Sequence, residues 1–186
     1  MKACALTDKG LEQVAVMELD EIISSNGSAE ERAVIFEAKN NDELFRFCYM
    51  SQSCQRVLLL FDSFKFGDYE DFLKKSEEAL NQVDLDDWFS EESSFKVGCE
   101  RIGEHDFGSS TAEQDLGGII IDCVNKKLGF EPKVKPSAPD VIFYIFINDD
   151  KAYIGIDLVG RDLSKRQYRI FSSPGIINAN LAYAMI

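Results

Sequence analysis

The sequence predicts an α+β fold built as two successive units, and three observations carry that prediction. The first 66 residues alternate strand-like and helix-like hydrophobic patterns. A long helix-period segment near residue 110 is followed by two strand-length apolar runs, "VIFYIFI" and "AYIGIDLV". At 186 residues, 45% hydrophobic and 28% charged, the chain holds one domain or two small ones, with enough apolar surface for a core.

Within the first unit, "KACALT" reads as a strand. Asp8 is placed to cap the helix that follows, whose apolar residues Leu11, Val14, Ala15, Leu19, Ile22 and Ile23 recur at helical spacing. "SSNG" is expected to stop that helix at Gly27. "AVIFEA" (33–38) reads as a strand, "NDELFRFCYM" (41–50) as a short helix and "QRVLLLFDSF" (55–64) as a strand. Strand, helix, strand, helix, strand is the composition of a small ferredoxin-like unit. "KFGD" (65–68) reads as its boundary.

The second unit opens with the amphipathic helix "YEDFLKKSEEALNQV" and the turn "DLDDWF" (84–89), which presents the only Trp. "SFKVGCER" (94–101) reads as a strand. Ser110-x-x-Glu113 has the spacing of a capping box. The helix it would open buries Leu116, Ile119, Ile120, Cys123 and Val124 and ends at Gly129. After the Pro-punctuated "KVKPSAPD", the two apolar runs form a hairpin through "NDDK", the first run being a central strand. The tail reads as a linker ending in an apolar helical stretch.

Charge narrows the partners. The chain carries 20 Lys+Arg against 33 Asp+Glu, a formal net charge of -13. Residues 1–100 hold 10 basic and 22 acidic residues, residues 101–186 hold 10 and 11, and the stretch 125–170 holds 9 and 6. A polyanion is therefore no partner for the first half and an acceptable one for the last third. No apolar run approaches the roughly 20 residues of a membrane span, and "MKACALTDKG" lacks the apolar region of a signal peptide. Cys4, Cys48, Cys54, Cys99 and Cys123 are odd in number, scattered and without Cys-x-x-Cys. That pattern suits buried thiols in a reducing cytoplasm rather than disulfides or a zinc site.

Little in the residues points to catalysis. His105 has no nucleophile at triad spacing and reads first as structural or solvated. No Gly-x-Gly-x-x-Gly follows a strand, and no Walker loop or EF-hand cluster is present. Gly117-Gly118 falls inside a helix, where close approach to a neighbouring backbone is the expected return for its conformational cost. The basic residues remain. Lys126 and Lys127 close a helix, where favourable interaction with its dipole is the plain explanation. Lys133 and Lys135 follow, and Arg161, Lys165, Arg166 and Arg169 surround Tyr168 after the last strand. If that helix and strand lie side by side, these cations converge to neutralise phosphates, with Tyr168 or Phe107 available to stack on an unpaired base.

Longer stretches carry a resemblance. "LTDKGLEQVAVMELDEI", "CYMSQSCQRVLLLFDSF", "VDLDDWF" with "SFKVGCER", "GSSTAEQDLGGIIIDCV" and "APDVIFYIFINDDKAYIGIDLVGRDLSKRQYR" together resemble the THUMP-containing RNA methyltransferases. The likeness spans nearly the whole chain. Where that family often shows Arg-Gly-Tyr-Arg, this chain has Arg166-Gln167-Tyr168-Arg169, and the acidic-Thr pair usual after the lead-in Pro (here Pro174) is replaced by "INAN". The family's methionine-binding glycine loop and Asp/Asn-Pro-Pro-Tyr/Phe motif are missing.

The resemblance implies an N-terminal ferredoxin-like domain (1–66), an α/β THUMP domain (67–160), and a linker with the start of a helix (161–186) leading toward a methyltransferase domain. It implies the RNA-binding portion of an S-adenosylmethionine-dependent RNA guanine-N2 methyltransferase, cytoplasmic, with the tRNA acceptor end as target. THUMP would act as a ruler that positions RNA for catalysis elsewhere. The residues it assigns to RNA are Arg101, His105, Lys126, Lys127, Lys133, Lys135, Arg161, Lys165, Arg166 and Arg169. The acidic first domain would be a spacer. No catalytic, cofactor or metal residue is assigned; S-adenosylmethionine is expected only with a methyltransferase domain, covalently linked or separate, and neither membrane nor DNA is expected as a partner. The apolar "LAYAMI" end is expected to dock onto further protein. Two alternatives stand beside this: a stand-alone THUMP adaptor that presents tRNA to a separate modifying enzyme, and a protein-interaction module without RNA binding.

Overall fold

The computed structural model describes residues 1–166 and 175–186. The chain divides into two compact units, one formed by Met1–Leu59 with Leu158–Ile186 and the other by Leu60–Asp157.

The first unit runs β1 (Lys2–Thr7), α1 (Glu12–Ile23), β2 (Gly27–Glu30), β3 (Ala33–Glu37), α2 (Asn41–Met50) and the first half of β4 (Cys54–Lys65). Its strand order is β2-β3-β1-β4, with each neighbouring pair antiparallel. This βαββαβ order is the ferredoxin-like arrangement. The central strand β1 is buried from Ala3 to Thr7, with Cys4 opposite Ile35 on one side and Leu58 on the other. Ala15, Leu19 and Ile23 of α1 and Leu44, Phe47 and Cys48 of α2 close the core over it.

Three local expectations are corrected here. β2 was not expected, because "GSAE" has no apolar alternation; it forms by pairing Gly27 with Phe36 and Glu30 with Ala33. Gly27 does not stop α1. The helix ends at Ser24, which is left-handed at φ 49 and donates its N–H to the Asp20 carbonyl. A Cβ on Gly27 would stand 2.5 Å from Val34 Cγ1 and 3.0 Å from Leu19 Cδ2, so glycine here permits the close packing of α1 over β2. Asp8 does not cap α1, whose N-cap is Leu11 without a side-chain bond; Asp8 instead accepts from Gln55 Nε2 at 2.7 Å.

Buried Glu18 ties this unit together. At 3% exposure, its carboxylate accepts from Ser51 Oγ (2.9 Å), Gln52 N–H (2.6 Å), Ser53 N–H (3.0 Å) and Ser53 Oγ. One side chain of α1 thus satisfies the loop between α2 and β4. The tail rejoins the same unit: Leu158 N–H donates to Val57 O, Leu163 N–H to Gln55 O, and a short helix occupies Ala179–Ala184.

The second unit has strand order β4-β8-β7-β5-β6. It contains α3 (Tyr69–Gln82), β5 (Ser94–Ile102), α4 (Ser109–Leu128), β6 (Lys133–Val134), β7 (Val141–Asn148) and β8 (Lys151–Asp157). Asp68 caps α3 by accepting from Asp71 N–H at 2.8 Å. β5 and β7 are parallel, so a crossover must join them, and α4 supplies it. β7 lies between β5 and β8, as its continuous apolar run predicts, and turns into β8 through Asp149 at φ 50. Phe72, Phe89, Phe95 and Phe143 fill the core; Phe89 stacks on Phe143 at 5.9 Å.

Two expectations for α4 are also corrected. Ser110 and Glu113 form no capping box, since Gly108 is the N-cap of α4 and has no side chain to contribute. Glu113 instead accepts from Cys99 N–H at 2.9 Å, satisfying a backbone donor of β5. Gly117 and Gly118 do not serve close packing, because a Cβ at either would meet nothing within 4 Å. They leave the outer face of α4 bare.

Two stability outcomes are expected. Glu18→Gln keeps the volume but turns an amide toward donors, and it should cost about 2–3 kcal/mol. For a chain of this size that lowers the thermal midpoint by roughly 5–10 °C, and an unchanged midpoint would mean the loop is held by other contacts. Gly118→Ala should stabilise by about 1 kcal/mol; a destabilised variant in chemical denaturation would show that the helix needs the bare position.

Candidate nucleic-acid interface

Counted by unit rather than by position along the chain, the acidity shifts. Met1–Leu59 with Leu158–Ile186 hold 10 basic and 11 acidic residues, whereas Leu60–Asp157 hold 10 and 22. The surplus negative charge therefore sits in the second unit. The first is nearly neutral.

In the second unit an open groove runs between α4 and the β5–β6 edge, lined by Lys96, Ser110, Gln114, Gly117, Gly118 and Val134 among others. The two bare glycines let a ligand approach the helix backbone, and Lys96 supplies a cation that sequence reading passed over. Lys133 and Lys135 flank Val134 on β6 and are exposed. Strand alternation sends their side chains to the opposite side from Val134. Lys135 also lies near Asp140, whose carboxyl is held below the ordinary range by the Ser94 hydroxyl and amide and by the Lys135 charge.

Two of the basic residues assigned from the sequence have structural partners instead. Lys127 Nζ donates to Leu80 O at 3.1 Å and to Val83 O, closing the end of α3, which has no basic residue of its own. His105 bridges two groups. Its Nε2–H donates to Asp149 O at 2.8 Å, so its Nδ1 accepts from Arg101 Nη1 at 3.2 Å, and its ring stacks on Phe66. Lys126 reaches Glu77 at 4.0 Å but keeps 68% of its side chain exposed.

These residues do not gather in one place. Lys126, Lys127, Lys133 and Lys135 lie at the end of the unit where β5 begins, since β6 pairs with Ser94 and Phe95. Arg101 and His105 lie at the other end of β5, about 20 Å away at 3.3 Å per residue. The strand beside α4 is β5, and β8 lies beyond β7. The expected convergence of helix and last strand is therefore not formed. Phe107 is buried among Tyr69, Phe72 and Phe66, so it offers no stacking face. Tyr168, Arg169 and Pro174 lie outside the described residues.

The first unit holds a second concavity, lined by Phe45, Cys48, Tyr49, Leu158, Val159, Arg161, Leu163 and Arg166. Arg166 Nη2 donates to Gln52 O at 2.9 Å, Arg161 is exposed, and Lys165 stands 3.7 Å from Asp162. Phe45 and Tyr49 were missed. Their signal was present: in "NDELFRFCYM" they fall off the Leu44-Phe47-Cys48 face, leaving α2 with more apolar residues than its core side needs.

No helix among the described residues is long and apolar enough to cross a membrane. Among them, no group of three or more His, Cys, Asp or Glu side chains is arranged to hold a metal ion. The strand-to-helix connections 8–11, 38–40, 66–68 and 103–108 contain no Gly-x-Gly, so the described residues do not fit an S-adenosylmethionine site of that type.

Comparisons with known proteins agree with this architecture. The THUMP domain family matches residues 72–157. The chain is 28% identical over 182 residues to the "Ribosomal RNA large subunit methyltransferase K/L" of Vibrio parahaemolyticus, covering 98% of this chain and 25% of the relative. It is 28% identical over 184 residues to the "tRNA (guanine(6)-N2)-methyltransferase" of Archaeoglobus fulgidus, covering 95% and 44%. A solved Listeria monocytogenes structure described as a predicted N6-adenine-specific DNA methylase superposes with a TM-score of 0.77 at 18% identity, covering 99% of this chain and 47% of that one. The chain thus spans between a quarter and a half of the proteins it resembles. Residues 72–157 match the THUMP domain, and over nearly its whole length the chain is homologous to part of THUMP-containing RNA methyltransferases.

Proposed function

We propose that this chain is the RNA-holding portion of an S-adenosylmethionine-dependent RNA guanine-N2 methyltransferase, working in the cytoplasm on the acceptor end of tRNA. The observation that supports this best is the alignment of 95% of this chain with 44% of a tRNA guanine-N2 methyltransferase, in a region that carries a THUMP domain. S-adenosylmethionine would supply the methyl group from a separate catalytic domain, and the residues here would bind and orient RNA. Positioning of that kind contributes to rate by fixing the reacting groups in register.

Within the THUMP domain, the groove beside α4 is the surface that suits a nucleic-acid backbone. It has an exposed helix face without side chains at Gly117 and Gly118 and is lined by Lys96 together with Glu113, while the exposed Lys126, Lys133 and Lys135 lie at the end of the unit where β5 begins. Lys127 is the less suitable probe of contact, because its ammonium also donates to carbonyls at the end of α3. Arg101 and His105 bond to each other and to Asp149 O at the other end of β5, so substitutions there would alter structure as well as charge.

Fluorescence anisotropy with labelled tRNA over a salt series tests this. Affinity should fall as salt rises, and the Lys126→Ala, Lys133→Ala, Lys135→Ala triple variant should reduce the log–log slope by roughly 2–3 if each lysine neutralises one phosphate. No binding at low salt would overturn the RNA function. Binding with an unchanged slope would place the contact elsewhere on the chain. Tighter binding to large-subunit ribosomal RNA than to tRNA would shift the substrate class to that of the Vibrio relative.

A further inference from the structure

We propose that the cleft between α2 and residues 158–166 is a binding site for one unpaired nucleotide of the RNA, its base on the aromatic wall and its phosphate on the arginine pair. The inference rests on the RNA-binding function proposed above and adds a second, separate site in the ferredoxin-like unit.

The wall is built by helix geometry. Phe45 and Tyr49 are four residues apart on α2 and so lie one above the other on the same face. Tyr49 is 90% exposed and Phe45 45%, although Leu44, Phe47 and Cys48 beside them go into the core. An aromatic ring held on a rigid helix and left in water is a stacking platform, and stacking accepts any base because every base presents a π-face. Leu158, Val159 and Leu163 make an apolar floor. That floor is fixed, since Leu158 and Leu163 donate their N–H groups to Val57 and Gln55 of β4.

The opposite side is cationic. Arg166 uses one Nη2 bond on Gln52 O, which orients its guanidinium and leaves other N–H groups to donate. Gln52 is in turn fixed because its N–H donates to buried Glu18. Arg161 is exposed and has no ion pair among the described residues. The nearest acid in sequence, Asp162, is engaged by Ser164 N–H (2.9 Å) and Ser164 Oγ (2.6 Å) and faces Lys165. Two guanidiniums beside an aromatic wall and an apolar floor match the parts of a single nucleotide, which has a flat ring and one anionic phosphate. A protein segment would use the apolar floor and leave the arginines without a stated partner. The near-neutral balance of this unit also makes it the less repulsive place for an anion.

The test uses the 186-residue chain, labelled tRNA and a single-stranded hexauridylate containing 4-thiouridine. Tyr49→Ala removes an exposed ring and should leave the thermal midpoint in place. It should weaken binding of both RNAs about tenfold, with the salt slope unchanged, and Tyr49→Phe should restore affinity. Arg161→Ala should instead lower the slope, by about 0.7 for a single-stranded contact. Photo-cross-linking should place the thiouridine on the 45–49 or 158–166 peptides. If wild-type chain binds RNA but Tyr49→Ala binds equally well and cross-links map elsewhere, the nucleotide site is overturned while the RNA function stands. A change in oligomeric mass for Tyr49→Ala without a change in RNA affinity would also overturn it, by showing that the cleft docks protein. No binding by the wild type would overturn both.

Discussion

The carboxylate of Glu18 is the interaction on which the first unit depends. It is almost fully buried and accepts from four donors in three consecutive residues of the α2–β4 loop. A carboxylate out of water loses much hydration free energy, and several hydrogen bonds are what can offset that loss. The arrangement leaves each partner constrained. Ser53 is held by Glu18 on its donor side and by Thr7 Oγ1 on its carbonyl at 2.6 Å, which fixes the start of β4 against β1. Gln52 is held by its N–H, so its carbonyl is fixed in the direction that receives Arg166. One buried acid in α1 therefore sets the position of a loop, a strand entrance and a guanidinium far along the chain.

The same distinction, between cations that hold the fold and cations that face solvent, separates the basic residues. Lys127 saturates carbonyls at the end of α3, and Arg101 is tied to His105. Lys65 is paired with Asp150 at 2.7 Å. Removing Lys127 or Arg101 would change structure as well as charge, so a loss of binding in such variants would say little about contact. Lys126, Lys133 and Lys135 are exposed residues whose positive charge is available to a ligand. A count of basic residues along the sequence cannot make this separation, because several of the partners are 40 or more residues away, as Val83 is for Lys127 and Asp149 for His105.

How much was legible follows from where the information lies. Elements with their own hydrophobic period, such as α3, β7 and β8, stand where the sequence places them. β2 has no such period. It exists because β3 offers it an edge and because Gly27 lets α1 come close, and both conditions are tertiary. The Ser110–Glu113 spacing satisfied the capping pattern, yet the backbone starts α4 one residue after Gly108, and Glu113 is drawn to an N–H on β5 instead. For Gly117-Gly118 the sequence signalled a special position and gave the wrong reason, since only the structure shows that the space above them is open. The aromatic wall of α2 was readable as an excess of apolar residues on a short helix. What was not readable was its opposite side, because residues 158–166 come more than 100 residues later.

The return of the tail also changes the electrostatics. The first hundred residues are strongly acidic, which suggested that the N-terminal unit would avoid RNA. Most of that acid belongs to Leu60–Asp157, while Arg161, Lys165 and Arg166 come back to the first unit and leave it close to neutral. Net charge acts over a Debye length, about 8 Å at physiological ionic strength and about 30 Å at 0.01 M. At low salt the acidic unit repels a polyanion from further away, so the usual gain in affinity on removing salt is partly cancelled. At physiological salt the repulsion is confined to its own surface, and local lysines beside a bare helix face can still take a phosphate. Affinity that survives under those conditions must draw on contacts that salt does not screen, and stacking of a base on an exposed ring is one. If an acidic region of this kind binds RNA, it has more need of an aromatic platform than a basic one, and in the first unit the exposed rings of α2 lie in the same cleft as Arg161 and as Arg166, which the fold holds against Gln52.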